Sequence, residues 1–453
     1  MAAKTHDMTR GAPWKLALSF ALPLMAGNVC QQLYTVTDAA IVGQFAGIDA
    51  LSSLGSAEWM VWMVFGVIST VMHGFGIPMA QRFGAGDDKG LRRLVTTAGV
   101  ISLIIALSYT ALGLVLINPL LKLLNTRQEF YSDASLYLYI LVSGAVFTTA
   151  YNLLSSILRA LGDSRSPLLA MIVSSVTNIA LDLLFVWYLR WRVAGAAAAT
   201  LISQVAACGV CAFRIRKLSV LKPEAGDPKY STSDAKLLLK LCLPMALQSL
   251  LIGVGGMALQ KVINGLGPEF VAGFTATNKL YGLLEAAAVA FGMAVVTYVG
   301  QNLGAKEYGR IRRGMRQFIP LGVALSLAIT ALMLLLGGYF LKLFIEKNAP
   351  IAANGVALRY LQAMSVSLAA LYLLYVYRSA LLGVGDTFIP MISGFAECAA
   401  RVGMALLLTH LAGKSGIYWA ETAAWSSAMI LLTVFWYIRQ RNLENLNLTG
   451  TKP

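Results

Sequence analysis

A pattern laid down in residues 16–93 returns about 220 residues later in the same order, so the chain reads as one plan written twice. The first copy has an apolar segment with Pro23, a second apolar segment, the loop Gln81-Arg82-Phe83-Gly84-Ala85 and the pair Arg92-Arg93. The second has Pro244, two apolar segments, Gln301-Asn302-Leu303-Gly304-Ala305 and Arg312-Arg313. A duplicated, almost wholly apolar half restricts the fold to two similar lobes. It is the mark of a membrane transporter whose lobes enclose a site.

Composition supports that class. With 58% hydrophobic residues, 13% charged and a mean hydropathy of +0.69, too little polar surface remains to cover a soluble globule of 453 residues. The expected partner is the lipid bilayer. A net charge of +15 raises the question of nucleic acid, but the Lys and Arg residues lie in short breaks between apolar stretches rather than on a polar domain. No nucleic-acid partner is expected.

Windows of bilayer-crossing length give twelve spans, near 14–40, 53–80, 94–117, 132–157, 167–189, 194–213, 237–264, 271–300, 317–345, 353–377, 388–411 and 416–438. Unbroken apolar runs without period-two alternation indicate helices rather than a barrel. The expected fold is an all-α membrane protein with twelve transmembrane helices in two pseudo-symmetric six-helix lobes. The N-lobe is 1–213, a linker is 214–236, the C-lobe is 237–440 and a tail is 441–453. The linker stretch, with Pro223, Gly226 and Pro228, reads as flexible and solvated. Basic residues concentrate in alternate connections, including Arg82, Lys89, Arg92 and Arg93, the 214–240 stretch and the 306–316 group. This bias predicts both termini, the linker and the tail on the cytoplasmic side. Residues 1–10 are short and polar, and the first apolar run is too long for a signal-peptide core, so it is expected to be a spanning helix.

Catalytic and metal readings find little support. Cys30, Cys208, Cys211, Cys242 and Cys398 sit in apolar spans, and the small residues around Cys208 and Cys211 suit helix packing better than redox chemistry. His6, His73 and His410 stand far apart with no neighbouring ligand set. No phosphate-cradling loop with Walker spacing is present, which argues against ATP hydrolysis in this polypeptide. No enzyme activity and no cofactor are expected, and uphill transport would draw on an ion gradient.

Such coupling should appear as ionisable residues held in the membrane, where a central Asp or Lys costs about 2.5–3.5 kcal/mol on insertion scales. In span one Asp38 follows Tyr34 by four residues, placing both on one helical face. Asn178 and Asp182 repeat that spacing in span five, and span six adds Thr200 after Gly195 and four alanines. Two carboxylates, an amide oxygen and a hydroxyl suit a hard cation such as Na+, or a proton held by one carboxylate. Taken singly, Asp38 also reads as an interfacial residue, and Asn178 with Asp182 as interhelical hydrogen-bond glue. Glu58 and Met63, with Trp59, Met60 and Trp62, are candidates for a substrate cavity or for lipid-facing positions near an interface. The C-lobe holds Lys279, Glu285, Glu397 and Arg401. Glu397 and Arg401, four apart, read as a mutually neutralising pair or as substrate contacts.

Several residue runs make the chain resemble the multidrug and toxin extrusion (MATE) family. They are Val36-Thr37-Asp38-Ala39-Ala40-Ile41-Val42-Gly43 after the Pro23 helix, the two Gln-x-x-Gly-Ala loops, and Leu158-Arg159-Ala160-Leu161-Gly162-Asp163 with Pro167. Leu382-Gly383-Val384-Gly385-Asp386-Thr387 with Pro390 is their weaker partner. The resemblance covers nearly the whole chain. It implies a multidrug efflux antiporter of a prokaryotic plasma membrane that exports organic, often cationic, compounds in exchange for H+ or Na+ by alternating access. Resemblance to the DinF branch implies a cation site at Asp38, Asn178, Asp182 and Thr200, with Tyr34, Tyr137 and Asn152 around it. The NorM branch uses acidic residues of spans seven and ten, and this sequence has none there. A monomer is expected. The competing reading, a lipid-linked oligosaccharide flippase of the same broader superfamily, would ask for a cavity rich in Arg or Lys.

Overall fold

Hydrocarbon offers no hydrogen-bond partner to a peptide group, and each apolar segment of this chain meets that demand by coiling into a helix. The computed structural model describes residues 7–123, 128–224, 226–227, 229–341 and 351–449, and among them there is no strand. The helices are α1 (Pro13–Ile41), α2 (Ile48–Gly84), α3 (Asp88–Leu123), α4 (Gln128–Ser143), α5 (Ala145–Ala160), α6 (Arg165–Asp182) and α7 (Arg192–Arg216). They continue as α8 (Thr232–Asn264), α9 (Pro268–Gly304), α10 (Tyr308–Leu341), α11 (Ile351–Gly383), α12 (Phe388–Ala412) and α13 (Ala420–Thr449). Nine helices among the described residues are long and apolar enough to cross a membrane, and α4 with α5, bent by 48° at their junction, make a tenth span. α2 and α13 are helices of 37 and 30 residues beside these. Large apolar side chains point outward as well as inward, Leu335 of α10 being 77% exposed. Such a surface is tolerable only against lipid.

The chain divides into two compact units, but not at the linker. One unit is built on Ala26–Ala246; the other takes Met8–Met25 together with the chain from Leu247 onward. These compact units differ in their bounds from the span-based lobes of 1–213 and 237–440. Each exchange point lies just beyond a proline inside a helix, Pro23 in α1 and Pro244 in α8. Proline removes one amide donor and crowds the preceding turn, so a helix can change direction there and follow a different set of neighbours on either side.

Within the first unit one apolar core gathers Met72, Phe75, Leu91, Leu158 and Cys211, and a second gathers Val42, Tyr137, Leu141 and Val186. In the second unit a single core joins α9, α11 and α13 through Phe291, Tyr298, Tyr360 and Trp436, and it includes Ala17, Phe20 and Leu24 of α1. The five cysteines are free, and Cys208 Sγ sits 3.4 Å from the Phe147 carbonyl that accepts from it.

The duplicated motifs fold alike. After α2, Ala85 N donates to Gln81 O (3.0 Å) and Asp87 N to Arg82 O (3.0 Å); after α9, Ala305 N donates to Gln301 O (3.0 Å) and Glu307 N to Asn302 O (2.8 Å). The Gly-Asp motifs repeat as well. Gly162 (φ 81°) and Gly385 (φ 84°) turn the chain where a side chain would be strained, and Asp163 N and Asp386 N close the turns onto Leu158 O and Leu381 O. The Asp163 carboxylate then accepts Ser166 N (2.9 Å) and the Asp386 carboxylate accepts Ile389 N (3.3 Å), satisfying amides that open α6 and α12.

The linker departs from expectation. Among its described residues, Arg92 of α3 donates to Asp227 (2.6 Å) and Glu224 (2.9 Å), Glu224 N donates to the Asp227 carboxylate, and Leu218 is buried. The Arg92 guanidinium and the Glu224 amide hold the Asp227 carboxyl below the usual carboxylate range. The stretch is tied to α3 through these acids while most of its described residues stay exposed, and its own prolines and glycine gave no hint of the tie.

Helix contacts are tightest where glycine removes a side chain. At Gly383 of α11 a Cβ would lie 2.7 Å from Val299 Cβ of α9, and neither atom can rotate away. Gly383→Ala is expected to cost about 1–3 kcal/mol and to lower the temperature at which purified protein loses its monodisperse form. An unchanged midpoint would show that α9 and α11 are not packed this closely.

Candidate functional site

Helices α1 and α6 end in the same unusual way. Directly after the turn carrying Asp38, α1 widens into a π-helical segment, Val42–Ala46; directly after Asp182, α6 widens into another, Leu183–Tyr188. The two segments lie against each other, with the Phe45 and Trp187 rings 5.8 Å apart. Such a widening inserts a residue into the helical ladder and is frequent at functional sites.

Just inside these segments the two aspartates meet. The Asp38 and Asp182 carboxyl groups face each other closely enough to share a proton, and Tyr34, one turn before Asp38, is in electrostatic range of both. Asn178 is 1% exposed and Asp182 fully buried. Apart from the contact between the carboxyls, Asp38 Oδ1, both Asp182 oxygens and both polar atoms of the Asn178 amide take part in no hydrogen bond with other described groups. Buried polar atoms are almost always partnered, and two like charges 4 Å apart at an effective dielectric of about 20 repel by about 4 kcal/mol. The chemistry of the set therefore calls for one positive charge: a proton bridging the carboxyls, or a hard cation taking carboxylate and amide oxygens.

The remaining residues of the expected set fall at different distances from that centre. Thr200 is half-buried on α7, the helix that packs along α6, and its carbonyl accepts from Ser203 Oγ at 2.7 Å. Tyr137 of α4 is buried in the apolar cluster that contains Val42 and Val186, the residues of the two widened segments. The Asn152 Oδ1 accepts from Ser69 Oγ of α2 (3.0 Å) and its Nδ2 donates to Thr148 O. Asn152 thus ties α5 to α2. Glu58 and Met63 lie outside the residues whose side chains are described, as does Lys279.

In the second unit, Glu397 and Arg401 belong to a longer alternation of charge. Arg378 of α11 donates to Glu397 (2.8 Å), Arg401 donates to Glu397 (3.1 Å), and Arg401 holds both oxygens of Glu421 of α13 at 2.9 Å. Two guanidinium and two carboxylate groups balance to zero. Glu285 of α9 accepts from Tyr375 OH at 2.9 Å and lies within electrostatic range of Arg401, Glu397 and Glu421 without bonding to them. Sequence reading missed Arg378 and Glu421 because each reaches the pair from another helix. Their only signal was that they are charged residues at the ends of apolar spans.

This arrangement gives a graded expectation. Glu397→Gln leaves the buried Arg378 without its carboxylate and Arg401 with Glu421 alone, and should cost about 3–5 kcal/mol, read as a large fall in thermal midpoint in detergent. Glu285→Gln keeps an acceptor for Tyr375 and should change the midpoint little. Equal effects would contradict the division of roles.

The MatE family profile matches the chain twice, over residues 23–184 and 244–406, each match opening at the proline of a first helix. The protein called "Probable multidrug resistance protein YpnP" of Bacillus subtilis (strain 168) is 30% identical over 358 residues, which cover 79% of this chain and 80% of that protein. "Probable multidrug resistance protein NorM" of Thermotoga maritima is 27% identical over 413 residues, 87% of this chain and 85% of that one. Among solved structures, a MOP superfamily transporter from Pyrococcus furiosus superposes with a TM-score of 0.92 at 23% identity, covering 98% of this chain and 99% of that one. An outward-facing multidrug resistance MATE family transporter gives 0.90 at 23% identity, covering 98% and 100%. At that level of identity the two structures speak for the fold.

Proposed function

The chain belongs to the MatE family of multidrug efflux transporters, and from that premise we propose that it is a secondary-active antiporter exporting organic, often cationic, compounds in exchange for H+ or Na+. The observation that carries this reading is the facing pair Asp38 and Asp182, buried beside an unpartnered Asn178 amide. Loaded with a proton or Na+, the pair is compensated and α1 can stay close to α6. Emptied, the two carboxylates repel, and the widened segments that follow each of them give the helix ends room to repack. An ion that stabilises one packing and a substrate that favours the other are coupled by linkage, each lowering the other's affinity. On this reading Tyr34 and Tyr137 belong to the surround of the pair, and Thr200 of α7 is the further oxygen assigned to the ion.

The charges of the second unit also favour this reading over a lipid-linked sugar flippase. Arg378 and Arg401, the cations that a pyrophosphate would need, are both held by glutamates. Glu285 is left with a tyrosine as its described partner and suits a cationic substrate.

The test is export of a fluorescent cationic dye from proteoliposomes under a sodium gradient and a pH gradient imposed separately, with Asp38→Asn as control. One gradient should drive export, and the variant should lose it at least about tenfold while still inserting and folding, as expected when an ion-coupling carboxylate is removed. Full export by Asp38→Asn would overturn the coupling role. Movement of a fluorescent lipid-linked sugar in place of the dye would favour the flippase.

A further inference from the structure

The repeated loops that follow α2 and α9 do more than close turns: each binds the lead segment of the first helix of the other half. In the second unit, the backbone of 8–14 is held at several points. Gln301 Oε1 accepts Met8 N (2.8 Å), Asn302 Nδ2 donates to Met8 O (3.1 Å), Arg310 donates to Gly11 O (3.0 Å), and Gln317 Oε1 accepts Trp14 N (3.2 Å). Asn302 Oδ1 in turn accepts Arg310 Nε (2.9 Å), and Met8 is 1% exposed. In the first unit, residues 231–234 before and within the first turn of α8 are held in the corresponding place. Thr97 Oγ1 accepts Ser231 N (3.2 Å), and Asp234 takes Arg82 (2.5 Å) and Arg93 (2.8 Å).

Arg82 and Asn302 occupy the same position of the repeat, directly after the recurring glutamine, and both touch a lead segment. The bonds differ, ionic in one unit and amide-based in the other, yet the placement is the same. Sequence drift has changed the chemistry of the contact and kept the contact. The exchange points after Met25 and Ala246 follow the same rule: up to them, each first helix belongs to the unit that holds its lead.

We infer that these are two permanent anchors, so that 8–14 stays bound to the second unit and 231–234 to the first in every conformation of the transport cycle. The inference rests on the transport reading above. Asp234, Arg82, Asn302 and Arg310 are then positioning residues: they touch neither ion nor substrate, and they fix one end of each first helix so that bending falls farther along it. A latch that had to open in each cycle would use the same contacts and behave oppositely.

Cross-linking separates the two. Thr97→Cys with Ser231→Cys, in a background without the five native cysteines, puts thiols on two residues that the bond from Ser231 N to Thr97 Oγ1 now holds side by side. For a permanent anchor, the rate of disulfide formation is the same with and without dye and under either ion gradient, and the oxidised protein exports dye within about twofold of its reduced form. A rate that changes severalfold with dye or gradient, or export lost on oxidation and restored by reductant, overturns the inference. The cross-linking rate needs no transport, so failure of the reduced protein to export any dye would count against the proposed function and not against the anchor. Asp234→Ala adds a second arm: export should fall several-fold, with dye binding to detergent-solubilised protein unchanged. Unimpaired export would show that the anchor does not position the helix.

Discussion

Two carboxyl groups that face each other inside a helical bundle surrounded by hydrocarbon cannot both remain charged and unaccompanied, and the first unit is organised around that constraint. Asp38 and Asp182 are brought together from helices distant in sequence, each at the last regular turn before its helix widens. Beside them lie Tyr34 and the unbonded Asn178 amide, and the widened segments that follow them contribute Val42 and Val186 to one apolar cluster. A site of this kind has two states by construction, with and without a positive charge. Helix ends that already depart from regular geometry are the cheapest part of the bundle to repack.

The second unit solves the opposite problem. Its buried charges are numerous, but Arg378, Glu397, Arg401 and Glu421 neutralise one another through short bonds, so they hold α11, α12 and α13 in one arrangement without asking for an ion. The duplicated framework thus carries two facing carboxyls in one copy and a mutually neutralising set of four charges in the other. On the proposed reading this asymmetry assigns ion coupling to the first unit and leaves Glu285 of the second to meet substrate.

Much of the fold was legible in the residues because lipid imposes simple rules. Apolar runs of bilayer length became helices, and the repeated Gln-x-x-Gly-Ala and Gly-Asp motifs became repeated turns. The i, i+4 spacings of Tyr34 with Asp38 and of Asn178 with Asp182 put each pair on one face, and that is enough to nominate a site but not to join its halves. The joining of Asp38 to Asp182 depends on tertiary packing that no local pattern records. The same limit hid Arg378 and Glu421, which reach the Glu397 and Arg401 pair from neighbouring helices. The compact units are not legible in a hydropathy profile, where a polar linker is the obvious break, because packing passes from one unit to the other inside two apolar helices just after proline.

The central claim is that the Asp38 and Asp182 pair trades its positive charge against substrate. The most direct measurement is a count of ions released when dye binds to purified protein in detergent, by calorimetry in buffers of different ionisation enthalpy and with or without sodium. Release of close to one proton or one sodium ion per dye bound, abolished in Asp182→Asn, is the predicted result. Dye binding that releases neither ion and is indifferent to pH and sodium would contradict it.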